Sequence, residues 1–429
     1  MDNFNTAASI VIDSIVIESH NEKTIEITDL FNSLTIYENM FSPLMKAAMV
    51  ITDATGITAD LPIVGQEKVT ITISRGDEYY TYVFRTTHLE KMSQVNDFTV
   101  NYVINLVDES YYMNGINLVS QSFSGSMSEI VGTIYTDFLK TELEVDESFG
   151  NYKVVIPRWN PYKAIGWCTR RARTENNSPF VNFSTLNGGH QFRSIATLFE
   201  QEPIEQYFRT KHHDSVTSAV EQRGETLDFN EYMQTPISFF ALETGPTLEQ
   251  LHKGAYASRT LLVDTAEKVY QEYTFNYDNE FDNIPHLAAE PMISDTFMLD
   301  NRSVFENSNT VQRAFAHSSH AFTSAYSYNS DVFNTSPYRG SYLETLNNYR
   351  YRLGVNGRFD LAVGQCVDLQ IMKNRIFTVA DPDDAIDSRR SGKHIITALK
   401  HMFTRRQDRV EYLINFDCNR DTMGTPYDA

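Results

Sequence analysis

Between residues 67 and 107 apolar side chains recur at every second position: Val69, Ile71, Ile73, then Tyr80, Tyr82, Phe84, then Phe98, Val100, Tyr102, Ile104, Leu106. A period of two puts each run on one face of an extended chain, so this stretch folds as strands with one side buried. Arg75-Gly76-Asp77-Glu78 separates the first two runs. Gly76 supplies the positive φ that a tight turn needs, so 67–85 is predicted as a β-hairpin. Upstream, Ile25 and Ile27 precede a run through Leu34 and Ile36, and another strand passes through Ala47, Met49 and Ile51. Pro43, which cannot donate to a ladder, falls between those two. Residues 9–107 therefore read as all-β.

The period then changes. Ser126-Met127-Ser128-Glu129 has the spacing of a capping box, and Ile130, Ile134 and Phe138 follow on one helical face. Asn160-Pro161 gives a cap and a first position for a second helix. That helix carries Ile165, Cys168 and Ala172 inward and Arg170, Arg171 and Arg173 mostly outward, with Trp159 and Trp167 beside or within it and read as buried. Phe180, Val181 and Phe183, the turn Asn187-Gly188-Gly189, and Gln191 to Arg193 make a returning pair, so 108–200 reads as an α/β unit. Residues 201–275 are mixed. From about 276 to 340 Asn, Ser, Phe and Tyr dominate, and loops of that kind depend on a neighbouring surface for order. Alternation resumes through Tyr349, Tyr351, Leu353 and Val355, then the turn Asn356-Gly357, then Val367, Leu369 and Ile371; Ile395 to Phe403 and Tyr412 to Phe416 form a final antiparallel pair.

A chain of 429 residues, 41% of them hydrophobic, fills several domains and their cores. Its 36 basic and 56 acidic side chains leave a formal charge of −20, which excludes holding nucleic acid by phosphate neutralisation. Cys168, Cys366 and Cys418 lack paired spacing, which fits neither a disulfide framework nor a zinc site and suits assembly in a reducing cytoplasm. The start Met1-Asp2-Asn3-Phe4-Asn5 lacks the pattern of a signal peptide, and no stretch reaches the ~20 apolar residues of a membrane span.

No catalytic constellation stands out. Ser391-Gly392-Lys393-His394 carries a Gly-Lys pair, but Asp387 stands where a phosphate-binding loop needs glycine. His317 and His320, or His212 and His213, lack a third metal ligand, and Asp381-Pro382-Asp383-Asp384 has turn composition. Glu129 and Asp137 fall on one helical face, whereas glycosidase carboxyls flank a cleft from different elements, and Glu129 is explained as a cap. The expectation is a protein without enzymatic activity, metal or cofactor.

Several segments, in their order, resemble the central hub proteins of contractile phage tails. They are Phe31 to Phe41 (FNSLTIYENMF), Ala47 to Asp53, Gly65 to Ile73, Ser128 to Leu139, Asn160 to Phe183, Gly357 to Leu369 and Ser391 to His401. Gly65, Asn160, Gly364, Gly392 and His401 stand at signature positions of that pattern. The resemblance implies an α+β, β-rich multidomain chain: two tail-tube-like antiparallel β-barrel or sandwich domains, an α/β domain and a peripheral inserted subdomain. The boundaries it implies are 1–107, 108–200, 201–260 with 341–418, 261–340, and a C-terminal tail at 419–429. It further implies a homotrimeric ring that adapts a sixfold tail tube to a threefold spike. Its partners would be the tube or tube-initiator protein, the central spike and the tape-measure protein, with wedge proteins as further neighbours. DNA would pass through the channel without specific binding, and the protein would assemble in the host cytoplasm into the virion baseplate. The strands carrying Leu34, Ile36, Glu38, Met49, Ile51 and Asp53 would pair between protomers or line that channel. A peripheral tail protein that binds host glycan or anchors fibres, and a hub with cell-wall hydrolase activity, are the alternatives; a tailocin or injection-device hub is indistinguishable in sequence.

Overall fold

The computed structural model describes residues 9–19, 23–57, 63–209, 234–264, 268–294, 296, 298–306, 312–317, 328–373, 386–407 and 409–425. The N-terminal part supplies β1 (Ser9–Glu18), β2 (Phe31–Asn39), β3 (Lys46–Asp53), β4 (Lys68–Arg75), β5 (Glu78–Asn96) and β6 (Thr99–Val107). Later segments supply β7 (Gln206–Arg209), β8 (Ser238–Thr244), β9 (Tyr349–Asn356), β10 (Cys366–Ile371), β11 (Gly392–Arg406) and β12 (Arg409–Arg420). With the short strand Thr24–Glu26 beside β1 they make one 13-stranded hydrogen-bonded system.

Its topology turns on the final hairpin. Following the ladders from β11 through β2, β3, β6, β5, β4, β1 and β12 leads back to β11, so the first unit is a closed antiparallel barrel. Closure removes the exposed edges that a sheet otherwise offers. The other half of the same hairpin lies at the centre of a second sheet. There β10 pairs with the start of β11 (Leu369↔Gly392 to Cys366↔Ile395), and β9 pairs with the end of β12 (Asn356↔Leu413 to Tyr349↔Arg420). β7 adds in parallel outside β10 and β8 antiparallel outside β9, giving the open order β7-β10-β11-β12-β9-β8. One apolar core runs through both sheets, from Ile10 to Met423.

The alternation of 67–107 is realised as strands, with Val69, Ile71, Ile73, Tyr82, Phe84, Tyr102, Ile104 and Leu106 buried. Arg75 pairs with Glu78 across a turn in which Gly76 has φ +62°. Phe98 departs from its run, at 85% exposure. β5 has 19 residues against 8 in β4, so the β5–β6 hairpin outruns the barrel and leaves Met92, Val95 and Phe98 beyond the core.

The α/β unit has α1 (Glu109–Ile116), α2 (Met127–Ile134), α3 (Pro161–Thr169) and α4 (Ile195–Glu200), with its own core around Ile130, Ile134, Tyr135, Ile165, Phe180 and Phe192. The capping box at Ser126 and Glu129 forms in both directions. Past Ile134 the helix widens into a π turn over Tyr135–Leu139, which shifts the frame and buries Tyr135 and Leu139 more fully than Phe138. Asn160 occupies the cap position of α3 without capping it. Its amide donates to Asn114 O at 2.9 Å, and Asn114 Oδ1 accepts the helix N–H of Tyr162 at 2.9 Å, so the cap comes from a neighbouring helix.

The third unit contains a small sheet (Ala257–Asp264, Val269–Asn276, Gln312–His317) and α5 (Tyr328–Thr345), which contains Pro337. Tyr277, Phe305, Tyr338 and Tyr342 are buried in the main core, so the chain itself orders much of this aromatic-rich stretch. Residues 419–423 are not a free tail: Asn419 and Arg420 end β12, and Asp421, Thr422 and Met423 are buried. Among the described residues no helix is long and apolar enough to cross a membrane.

Candidate functional site

The units meet at a fully buried polar junction. Glu38 projects inward from β2, and its Oε1 accepts the N–H of Leu186 at 2.6 Å, while Oε2 accepts the N–H of Val363 at 3.1 Å. His401 on β11 places Nε2 3.2 Å from Glu38 Oε1 and Nδ1 2.8 Å from the hydroxyl of Tyr412 on β12. Tyr412 spends its single proton on the carbonyl of Arg358 at 2.9 Å, so His401 Nδ1 donates to it. Burial, the largest cause, raises the Tyr412 phenol well above its ordinary range and keeps it protonated. Beside this chain Asn187 donates to Phe359 O and accepts from Tyr82 at 2.9 Å. Barrel, α/β unit and the β9–β10 connection are thus pinned together by the side chains of Glu38, Tyr412 and Asn187 acting on backbone groups of Leu186, Val363, Arg358 and Phe359. Gly364 lies at the same boundary with φ +83°; a Cβ there would come 2.8 Å from the ring of Phe183.

The six residues named above on β2 and β3 all point inward: Leu34, Ile36, Met49 and Ile51 have no exposure, and Glu38 and Asp53 almost none. Whatever those strands present outside the protomer is carried by the alternate residues. In register these are Met402, Thr35, Ala48 and Asn105 in one row, and Thr404, Ser33, Val50 and Val103 in the next, spanning β11, β2, β3 and β6. Both rows are free of charge, with Lys46 and Lys400 at one margin. The second sheet adds open edges. Among the described residues no strand pairs with the outer side of β7 or β8, and Phe208, Phe240 and Leu242 are exposed there.

Of the other signature positions, Gly65 lies in a turn gathered by the buried Glu67, whose carboxylate accepts the N–H groups of Val64, Gly65 and Gln66. Gly392 opens β11 with φ +114°, so the Gly-Lys pair begins a strand and not a phosphate loop. His394 next to it is fully buried near Arg420; burial first, then that guanidinium, push its imidazole down to about 3. An unfolded histidine titrates near 6.5, so between these values the unfolded state binds the extra proton, and stability falls as pH drops from about 6.5 towards 3. Replacing His394 with Gln is expected to flatten this dependence, by up to about 1.4 kcal/mol per pH unit. Urea midpoints at pH 7, 5.5 and 4.5 for both proteins check it; parallel curves would remove His394 as the cause.

Glu129 is held by the Ser126 N–H at 2.7 Å and borders a cleft of about 460 Å³ with Glu147 and Glu175; Asp137 lies in the π turn and does not line it. Trp159 and Trp167 are half-buried, with ring centroids 6.4 Å apart, where the sequence reading placed them in the interior. Arg173, expected outside, is buried against Phe149. All three cysteines are buried and free. Among the described residues no cluster of three or more metal-ligating side chains occurs; His212, His213, His320 and Asp381 to Asp384 lie outside them, as does the side chain of His317.

No protein-family model matches the sequence, and no curated protein does. Solved structures do match along nearly the whole chain. The tail protein from Neisseria meningitidis MC58 aligns over 95% of this chain and 96% of its own, with 8% identity and a TM-score of 0.53. The chain has a tail-protein fold. The 43 kDa tail protein of prophage MuSo2 from Shewanella oneidensis aligns over 96% and 100%, at 10% identity and a TM-score of 0.49. The E. coli c3393 protein, a type VI secretion component described as similar to T4 tail proteins gp27 and gp5, aligns over 97% and 79%, at 9% identity and 0.43. At such identities the likeness is one of tail-protein architecture, and it runs through barrel, α/β unit and second sheet together.

Proposed function

We propose that the chain is the central hub of a contractile tail, a structural homotrimer that adapts a sixfold tube to a threefold spike and encloses part of the channel. The observation that carries this reading is the tail-protein fold over 95% of this chain and 96% of the Neisseria protein. Two features support it. Each protomer offers two β units joined by one hairpin, the arrangement needed for three copies to present six tube-like faces. Among the described residues the second sheet has open, partly apolar edges at β7 and β8, which a ring would cover by pairing neighbouring protomers. The uncharged rows on β11, β2, β3 and β6 are suited either to pack against a neighbour or to line a channel without holding DNA. On this reading the protein is not an enzyme, and its partners are the tube, the spike and the tape-measure protein.

Light scattering on the purified chain over a concentration series, alone and with the spike protein, tests this. A mass three times 49.2 kDa is expected. A stable dimer or tetramer would overturn the threefold adaptor.

A further inference from the structure

In a chain of net charge −20, the outer face of α3 collects cations that, among the described residues, form no ion pair with a carboxylate. Lys163 sits 5.0 Å over the Trp159 ring and Arg171 3.8 Å over the Trp167 ring, while Arg158 and Arg170 project beside them. Among the described residues none of these four has a carboxylate within 4 Å. Arg158 stands at φ +53° in a strand irregularity between Ile156 and Trp159, a conformation that a non-glycine residue adopts at some cost. Such bulges re-aim a side chain, here into solvent. Behind the face, Arg339 of α5 donates to Phe180 O at 2.6 Å. Desolvation first, and then the like charge of Arg170, lower the Arg339 guanidinium to about 10. The indole faces already carry cations, which leaves the platform presenting N–H donors to an anion more readily than bare rings to a sugar.

The same unit bears the complementary surface. The cleft of about 460 Å³ is lined by Glu129, Glu147 and Glu175 together with Ser128 and Phe149, and Arg173 is the cation buried against Phe149. A guanidinium entering it would meet several carboxylates at once. We infer that the Arg158–Lys163–Arg170–Arg171 face docks on the Glu129–Glu147–Glu175 cleft of a second copy of this chain, a head-to-tail contact between α/β units. A head-to-tail contact uses two different surfaces and closes into a ring when the rotation per copy allows. The inference rests on the homotrimer reading for its stoichiometry, but the contact itself is tested separately.

Mixed ¹⁵N-labelled and unlabelled full-length chain, treated with a zero-length carbodiimide cross-linker at low salt, is expected to give labelled-to-unlabelled peptides joining Lys163 to Glu147 or Glu175. Their yield should fall at least tenfold at 0.5 M salt and at least tenfold in Arg158→Glu/Arg170→Glu. Glu147→Arg/Glu175→Arg should abolish it alone, and mixing the two reversed proteins should restore association, measured by sedimentation, which excludes misfolding as the cause. Absence of these intermolecular links in the wild-type protein, trimeric or not, overturns the contact. A trimer without the links leaves the hub reading standing; links within a stable dimer keep the contact and remove the threefold ring.

Discussion

Glu38→Leu is expected to lower stability by roughly 3–5 kcal/mol, enough to make most of the protein insoluble on expression at 37 °C. The leucine fits the surrounding core but accepts nothing. The N–H groups of Leu186 and Val363 lose their acceptor and the Nε2 of His401 loses its polar partner in a site without exposure, at about 1–3 kcal/mol for each stranded group. Glu38→Gln should fall between, because its amide oxygen keeps one acceptor while its NH₂ confronts the other donors. Adding His401→Leu to Glu38→Leu should recover part of the loss by removing one stranded polar group, a coupling that a double-mutant cycle in urea reads directly. If Glu38→Leu unfolds within about 1 kcal/mol of wild type, the junction is packing with incidental polar contacts, and the units are held by apolar surface alone.

Gly65→Ala is the second large effect. Gly65 has φ +96°, and a Cβ built on it would sit 2.4 Å from the carbonyl oxygen of Thr87. That atom is backbone within β5, so relief requires the strand to move. The unfavourable conformation contributes about 1–2 kcal/mol and the overlap about 1–3, for an expected loss near 3 kcal/mol. Gly76→Ala is the internal control: φ is +62° there, but nothing lies within 4 Å of a Cβ, so about 1 kcal/mol is expected. Thermal unfolding of the two variants side by side distinguishes close approach from backbone conformation. Equal shifts would mean that the Glu67-centred turn yields at little cost.

The residues of Glu38's network are separated in the chain by up to 363 positions. Residue type alone does not signal that a glutamate in an alternating strand faces inward. Its place in the period does: Leu34, Ile36 and Glu38 share one face, so the alternation that marks Leu34 as core marks Glu38 with it. Its donors were illegible, since Leu186 and Val363 contribute only backbone. Helix α5 was missed for a local reason. Tyr328 to Thr345 is rich in Asn, Ser and Thr with Gly340 and Pro337, a composition that disfavours helix, and it lacks an amphipathic stripe. Its place is fixed by burial of Tyr338, Tyr342 and Leu346 in a core assembled from distant segments. Trp159 and Trp167 were misplaced for the opposite reason: aromatic character predicts burial on average, whereas here flanking cations cover rings left at the surface.

The sequence by itself determined most of the strands, the 75–78 turn, the capping box at Ser126 and the acidity of the whole, because each depends on residues near in the chain. Tertiary structure alone decided that the last hairpin closes a barrel begun by the first hundred residues and then centres a second sheet. It also decided that Asn114 caps the helix at Asn160, that Phe98 lies beyond the core, and that Arg158, Lys163, Arg170 and Arg171 gather on one face. Those outcomes depend on which distant surfaces meet and which polar groups must find partners once water is gone, and periodicity along the chain carries no record of either.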